Sequence, residues 1–259
     1  KNNYLIYPSP QKITLDEQKI SADVSYQLKG NFQLKPNSLA LLNEIFNNQT
    51  KSKVFPVIIN SLSKTDKSLQ ISGAYTLKIT ATAIEIGVFD NRGAYYALQT
   101  LNQLKKANSF PLVEITDFPD VLSRGSVEGF YGTPWSHEDR ISQFKFYGAL
   151  KLNTYIYGPK DDPYHSSPNW RKPYPAENAK QIQELVQEAN KNEIDFTWAI
   201  HPGLDIQWNK ADSLAILNKF ELMYDLGVRS FAVFFDDISG IGTKAEKQAE
   251  LLNYLQKQF

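Results

Sequence analysis

The sequence predicts an α/β chain: the first half of a (β/α)8 TIM barrel, four βα units at residues 123–259, preceded by a small α+β domain at residues 1–122. Three observations predict it. Beyond residue 122, short and nearly continuous apolar runs alternate with longer amphipathic stretches, the pattern of a parallel sheet covered by helices. Polar and aromatic residues collect directly after each apolar run, where barrel enzymes build their sites. Before residue 122 the rhythm is a period-2 alternation broken by turn residues.

In the first region an amphipathic helix covers roughly Ser38 to Phe46, and Ile58, Ile59 and Leu62 read as a strand end. Tyr75, Leu77 and Ile79, then Ile84, Ile86 and Val88, alternate with small or polar residues. With Ala81-Thr82-Ala83 as connector they predict a hairpin of half-buried strands. Asp90-Asn91-Arg92-Gly93 is turn chemistry. Ala94 to Lys105 reads as a helix with Tyr95, Leu98, Leu101 and Leu104 on one face. Pro111 and Pro119, the latter close to Asp117 and Asp120, punctuate the route into the next region.

There the units follow in order. Strands are predicted over Ser126–Phe130, Asn153–Tyr157, Asp195–Ile200 and Ser230–Phe235, with helices over His137–Leu150, Ala176–Asn192, Ala211–Leu226 and Lys244–Phe259. A doubly wound sheet is the alternative, but it calls for a Gly-rich phosphate turn after the first strand, and Gly129-Phe130-Tyr131-Gly132 does not have that spacing. Four strands leave the first and last with open apolar edges, so the barrel is expected to continue in sequence beyond Phe259.

Composition narrows the partners. Lys plus Arg and Asp plus Glu number 28 each, which gives no basic footprint for nucleic acid or an anionic membrane. The 13% aromatic content fits either an aromatic core or rings that pack on sugars. No cysteine is present, so disulfides and thiolate metal sites are excluded. No apolar run reaches the length of a membrane span. Asn48-Gln49-Thr50 has the form of a glycosylation sequon.

The predicted strand ends deliver Gly129 to Ser136, Tyr157 to His165, His201-Pro202-Gly203, and Asp236-Asp237-Ile238-Ser239-Gly240 to one rim. Asp236-Asp237 is the sharpest feature. If the preceding strand is buried on both faces, the two carboxylates cannot both be lightly solvated. They can face one ligand only where the strand gives way to loop geometry, because strand side chains alternate in direction. Crowding would separate their proton affinities, leaving one charged and one protonated, as a charge stabiliser beside a general acid requires. Helix capping, turn-making and a magnesium site are the competing readings of the pair. Lys160-Asp161-Asp162 reads equally as a self-paired loop, Tyr131 and Trp135 as sugar platforms or packing. His165 and His201 are candidate polar walls, and His137 a helix start.

Arg124-Gly125-Ser126-Val127-Glu128-Gly129-Phe130-Tyr131-Gly132-Thr133-Pro134-Trp135 resembles the first barrel strand and loop of glycoside hydrolase family 84, the O-GlcNAcases and related bacterial hexosaminidases. The segment from Tyr155 to His165 resembles the second strand and loop, and Phe234-Phe235-Asp236-Asp237-Ile238 the catalytic strand. Asn91 to Gln99 is similar to the domain that precedes such barrels. The resemblance implies a retaining β-N-acetylglucosaminidase acting by substrate-assisted catalysis through an oxazoline. Asp236 would orient the 2-acetamido group and Asp237 would serve as acid and then base. Gly129, Tyr131 and Lys160 would bind the sugar. No cofactor or metal is implied, and the partners are N-acetylglucosamine-bearing glycoconjugates. The likeness to bacterial homologues favours a periplasmic or secreted location. The family's other sugar-gripping residues lie on later strands, so little or no activity is expected of these 259 residues alone. A non-catalytic glycan-binding protein on this fold, a hyaluronan-type hexosaminidase and a metal-dependent hydrolase are the competing functions.

Overall fold

A computed structural model describes residues 4–47, 53–63, 65 and 67–259; the Asn48-Gln49-Thr50 sequon lies outside them. The chain is an α/β protein that divides into two compact units. One comprises Lys1–Leu122 with Gly148–Lys151, the other Ser123–Tyr147 with Leu152–Phe259.

The first unit holds strands β1 (Lys12–Ser21), β2 (Ser25–Lys29), β3 (Val54–Ser61), β4 (Tyr75–Ile79), β5 (Ile84–Val88) and β6 (Ser109–Asp117), with helices α1 (Pro36–Ile45) and α2 (Asn91–Leu104). The strands form one sheet in the order β1-β6-β4-β5-β3-β2. The predicted hairpin is β4–β5, paired antiparallel from Tyr75↔Val88 to Ile79↔Ile84. Its alternating side chains Tyr75, Leu77, Ile79, Ile84, Ile86 and Val88 are buried in one core with Tyr95, Leu98 and Leu101 of α2. Thr80 closes the turn: its Oγ1 accepts the Ala83 N–H at 3.0 Å.

Two expectations for this unit need correction. Asp90-Asn91-Arg92-Gly93 is a helix start and not a free turn: Asp90 Oδ1 accepts the Gly93 N–H at 2.8 Å and caps α2. Gly93 is required there because a Cβ would lie 2.3 Å from the Ala74 carbonyl oxygen. Pro111 lies inside β6 rather than punctuating a loop. It sits past the end of the β4 pairing and faces Lys19 at the first paired position after a register break in β1, between Leu15 and Lys19, so its missing N–H falls where the ladder is already interrupted.

The second unit holds β7 (Gly125–Glu128), α3 (His137–Ala149), β8 (Thr154–Tyr157), α4 (Ala176–Lys191), β9 (Asp195–Ile200), α5 (Lys210–Asp225), β10 (Ser230–Val233) and α6 (Ala245–Gln258). The four strands are parallel and ordered β10-β9-β8-β7, running one way without the reversal of a doubly wound sheet. Phe144 of α3, Leu185 of α4, Phe220 of α5 and Leu251 of α6 pack with Tyr155, Phe196 and Trp198 of the sheet. Phe130, Phe234 and Phe235, expected at strand ends, lie beyond them. The expectation that the last strand is buried on both faces also fails, because all four residues of β10 are only half-buried. Among the described residues β10 pairs with β9 alone, which leaves it one open side.

Candidate active site

Parallel strands aim their C-terminal ends in one direction, so the loops after β7, β8, β9 and β10 share a rim. Asp236 and Asp237 stand in the loop after β10. Asp237 adopts a left-handed φ of 54°. That conformation breaks the strand alternation and lets both carboxylates meet the same neighbours. Lys160, from the loop after β8, donates to Asp236 Oδ2 at 2.5 Å and lies 4.0 Å from Asp237 Oδ2. Tyr131, from the loop after β7, donates its hydroxyl to Asp237 Oδ2 at 2.6 Å. The Lys160 ammonium stands 5.4 Å from the Tyr131 ring centroid. Four of the five residues singled out for the site are thus directly linked. The fifth, Gly129, follows β7; a Cβ on it would sit 3.9 Å from Phe234 Cε2 and from the Gly158 carbonyl.

The pair is more open than the sequence predicts. The Asp236 and Asp237 side chains are 52% and 60% exposed, because β10 is half-buried. Partial burial tends to raise the Asp236 pKa, but the hydrogen bond and charge of Lys160 outweigh it and hold the carboxyl below its ordinary value. Its hydrogen bond to Asp237 pushes the Tyr131 phenol up. The self-paired reading of Lys160-Asp161-Asp162 does not hold. Lys160 is drawn to Asp236, while Asp162 Oδ2 accepts the Tyr157 and Tyr174 hydroxyls at 2.9 and 2.6 Å. Asp162 Oδ1 also takes the Tyr164 N–H at 2.8 Å, so this carboxylate folds the loop that presents Lys160.

Three supports lie under the rim: Glu128, which the residue pattern does not announce, and His201 and Gly203 of the predicted rim loop after β9. Glu128 is fully buried at the end of β7 and grips Arg140 of α3 through two hydrogen bonds of 2.7 and 2.8 Å. It also accepts the Tyr155 hydroxyl and, at 3.1 Å, the Trp135 N–H, which anchors the loop carrying Tyr131. Trp135 itself packs edge-on to Phe130 at 5.2 Å. His201 is buried after β9, its Nε2 2.7 Å from the Asp236 carbonyl oxygen. Gly203 leaves room for Ile238, whose Cγ2 a Cβ there would meet at 2.3 Å. His165 stands behind these groups. Its Nδ1 pairs with the Ala199 carbonyl at 2.9 Å, and burial lowers its pKa. The only in-sequence signal for Glu128 is a carboxylate inside an apolar run. Its partner Arg140 is fixed by the helix that follows, which residue pattern alone does not reveal.

No group of three or more His, Asp or Glu side chains arranged to hold a metal occurs among the described residues. No described helix is long and apolar enough to cross a membrane.

Comparison with known proteins falls on the same two regions. A family described as beta-N-acetylglucosaminidase matches residues 124–259, and glycosyl hydrolase family 20, domain 2, matches residues 3–118. The Protein O-GlcNAcase of Rattus norvegicus and that of Mus musculus are each 42% identical over 125 residues, 48% of this chain and 14% of theirs. The solved structure of CpGH84B superposes with a TM-score of 0.89 at 35% identity, over 99% of this chain and 48% of its own. That of CpGH84D does so with a TM-score of 0.86 at 29% identity, again over 99% and 48%. The chain therefore spans about half the length of these solved relatives and 14% of the curated ones.

Proposed function

The chain belongs to the β-N-acetylglucosaminidase family, glycoside hydrolase family 84, and from that membership we propose that it removes terminal β-linked N-acetylglucosamine with retention of configuration. The four parallel βα units are, in this reading, the first half of a (β/α)8 barrel. The observation that carries the proposal is the convergence of Asp236, Asp237, Lys160 and Tyr131 from three strand ends.

The chemistry follows from the two environments. A carboxylate held in its charged form by Lys160 suits a group that accepts the acetamide N–H and offsets positive charge growing on the acetamido carbon. Asp236 has that environment. The acetamido oxygen then attacks the anomeric carbon, the glycosidic C–O bond breaks, and an oxazoline forms on the sugar itself. The leaving oxygen takes a proton from Asp237, which afterwards removes one from the attacking water. Two inversions give retention, and the nucleophile belongs to the substrate, so carboxylate spacing does not report the stereochemistry. Lys160 and the Gly129 carbonyl bind sugar hydroxyls in this scheme, with Tyr131 along the wall. The substrates are N-acetylglucosamine-bearing glycoconjugates.

The test pairs turnover with binding. Hydrolysis of an N-acetylglucosaminide with a poor leaving group is expected to fall by about 10²–10⁴-fold in Asp237→Ala, the usual weight of a general acid, and far less with an activated aryl leaving group. A stable sulfur mimic of the oxazoline should bind this chain and lose affinity in Asp236→Asn. Undiminished cleavage of the poor leaving group by Asp237→Ala would sink the acid assignment. A mimic that binds Asp236→Asn as well as the parent would sink the other. Because both carboxylates are more than half exposed in these 259 residues, turnover by the chain alone is expected to be slow.

A further inference from the structure

A recess elsewhere in the unit built on β7–β10 takes no part in this chemistry. It is a cleft of roughly 360 Å³ between the start of α5 and the Lys247–Tyr254 stretch of α6, and none of Asp236, Asp237, Lys160 or Tyr131 lines it. Its apolar wall includes Trp208 and Tyr254, and its polar edge includes Asn209, Ser213, Lys247 and Glu250. Lys247 and Glu250 neutralise each other at 2.8 Å. Ser213 Oγ donates to the Asn209 carbonyl at 3.1 Å, which leaves that hydroxyl oxygen able to accept.

Trp208 carries the argument. It holds a left-handed φ of 53°, a conformation that costs a non-glycine residue about 1–3 kcal/mol and that clusters at ligand clamps. Its indole is seated with care. Phe235 packs on it at 5.9 Å and 31°, and Gly242 clears its edge, where a Cβ would lie 3.0 Å from Cζ2. An aromatic side chain on a strained backbone, packed on one flank, with Tyr254 also lining the cleft and a rim of balanced hydrogen-bonding groups, suits a ligand with an apolar face and many hydroxyls. A closed ion pair disfavours a strongly charged ligand, and the volume lies at the small end of ligand clefts, about 300–1,000 Å³. We propose that this cleft is a second carbohydrate site, binding one neutral pyranose unit against Trp208. It goes beyond the hydrolytic reading and does not require it, sharing only the class of ligand.

The test is a titration of the ¹⁵N-labelled 259-residue chain with chitobiose, and separately with sodium sulfate, followed by amide and indole NMR shifts. Chitobiose is expected to move the Trp208 indole and the Lys210 and Ser213 amides along a saturable curve. That curve should be unchanged in Asp237→Asn and lost in Trp208→Ala. Ser213→Phe, which fills the cleft and leaves Trp208 in place, should abolish it too, so misfolding of one variant does not decide the matter. Shifts confined to the Lys160 and Tyr131 loops, no saturable shift, survival in both cleft variants, or a response to sulfate alone would each overturn the proposal. Shifts at the cleft without any at Lys160 and Tyr131 would count against the hydrolytic site and leave this one standing.

Discussion

Lys160 lies 2.5 Å from Asp236 and 4.0 Å from Asp237, so the two neighbouring acids are not equivalent. Its ammonium, opposing the effect of partial burial, depresses the Asp236 pKa. A depressed carboxyl contributes stability and function above its unfolded value and loses both as pH falls through the folded value. Lys160→Met removes the largest lowering influence and leaves the burial. The Asp236 carboxyl, followed by ¹³C NMR, should therefore titrate at higher pH, and any acid limb of activity should move up with it; an unmoved titration would show that Lys160 does not set the charge. The glutamate below the rim is a different case. Glu128 is buried and holds Arg140 by two hydrogen bonds, so Glu128→Leu strands a guanidinium and is expected to cost about 3–5 kcal/mol in denaturant unfolding. The rim position of Asp236, Asp237, Lys160 and Tyr131 was legible because charged and aromatic residues after an apolar run announce a rim, whereas the sugar-binding roles of Lys160 and Tyr131 came from the family resemblance alone. Glu128 was not legible, because its role depends on a partner brought by another element, Arg140 of α3; His201 was readable as a polar wall, but its contact with the Asp236 carbonyl was not.

At the level of elements, the hairpin β4–β5 and the four βα units were readable because their alternation and helical period match the faces they bury. The long edge strand β1 was not. Its sequence, KITLDEQKIS, is mostly exposed, with charged residues interrupting the apolar ones, so the period that marks a half-buried strand is absent. Edge strand β2 and the proline-containing β6 escaped for related reasons, weak burial in one and a residue that lacks its ladder donor in the other. The loop elements carry their own constraint. Gly203, after β9, faces Ile238 of the acid loop with no room for a methyl group. Gly203→Ala should push that loop away, at a cost of about 1–3 kcal/mol typical of overpacking. The cost should show as a lower unfolding midpoint, together with shifted Asp236 and Asp237 amides. Unchanged amide positions would mean that the loop yields elsewhere.

Over the whole chain, equal numbers of acidic and basic side chains and a pI near 7.0 keep net repulsion small around neutrality, so a few buried groups should dominate the dependence of stability on pH. In the unit built on β7–β10, Lys219 of α5 is buried, its Nζ 4.3 Å from the Tyr174 ring centroid and 5.8 Å from that of Trp198. Burial lowers its pKa to about 8, against a smaller opposing pull from Asp162. Unfolded lysine titrates near 10.4, roughly. Between those values the unfolded chain binds more protons, so stability of this unit should rise as pH increases from about 8 toward 10. Buried tyrosines have the opposite sign. Burial first, then nearby acids and, for Tyr174, the neighbouring Tyr157, raise Tyr155, Tyr157 and Tyr174 above the ordinary phenol value, so the stability they confer is intact below about pH 10 and lost above it. The other unit contains Tyr75, raised chiefly by burial, and its buried lysine, Lys151, is paired with Asp117 at 3.0 Å and donates to the Tyr75 hydroxyl at 2.9 Å. Denaturant unfolding followed by amide signals of each unit at pH 7.5, 9 and 10.5 separates the two. The β7–β10 unit should pass through a maximum near pH 9–10, about where the lysine gain meets the tyrosine loss. The other unit should stay level and then fall. Lys219→Met should flatten the rise in the first without touching the second, and a rise that persists in that variant would assign the effect to a different group.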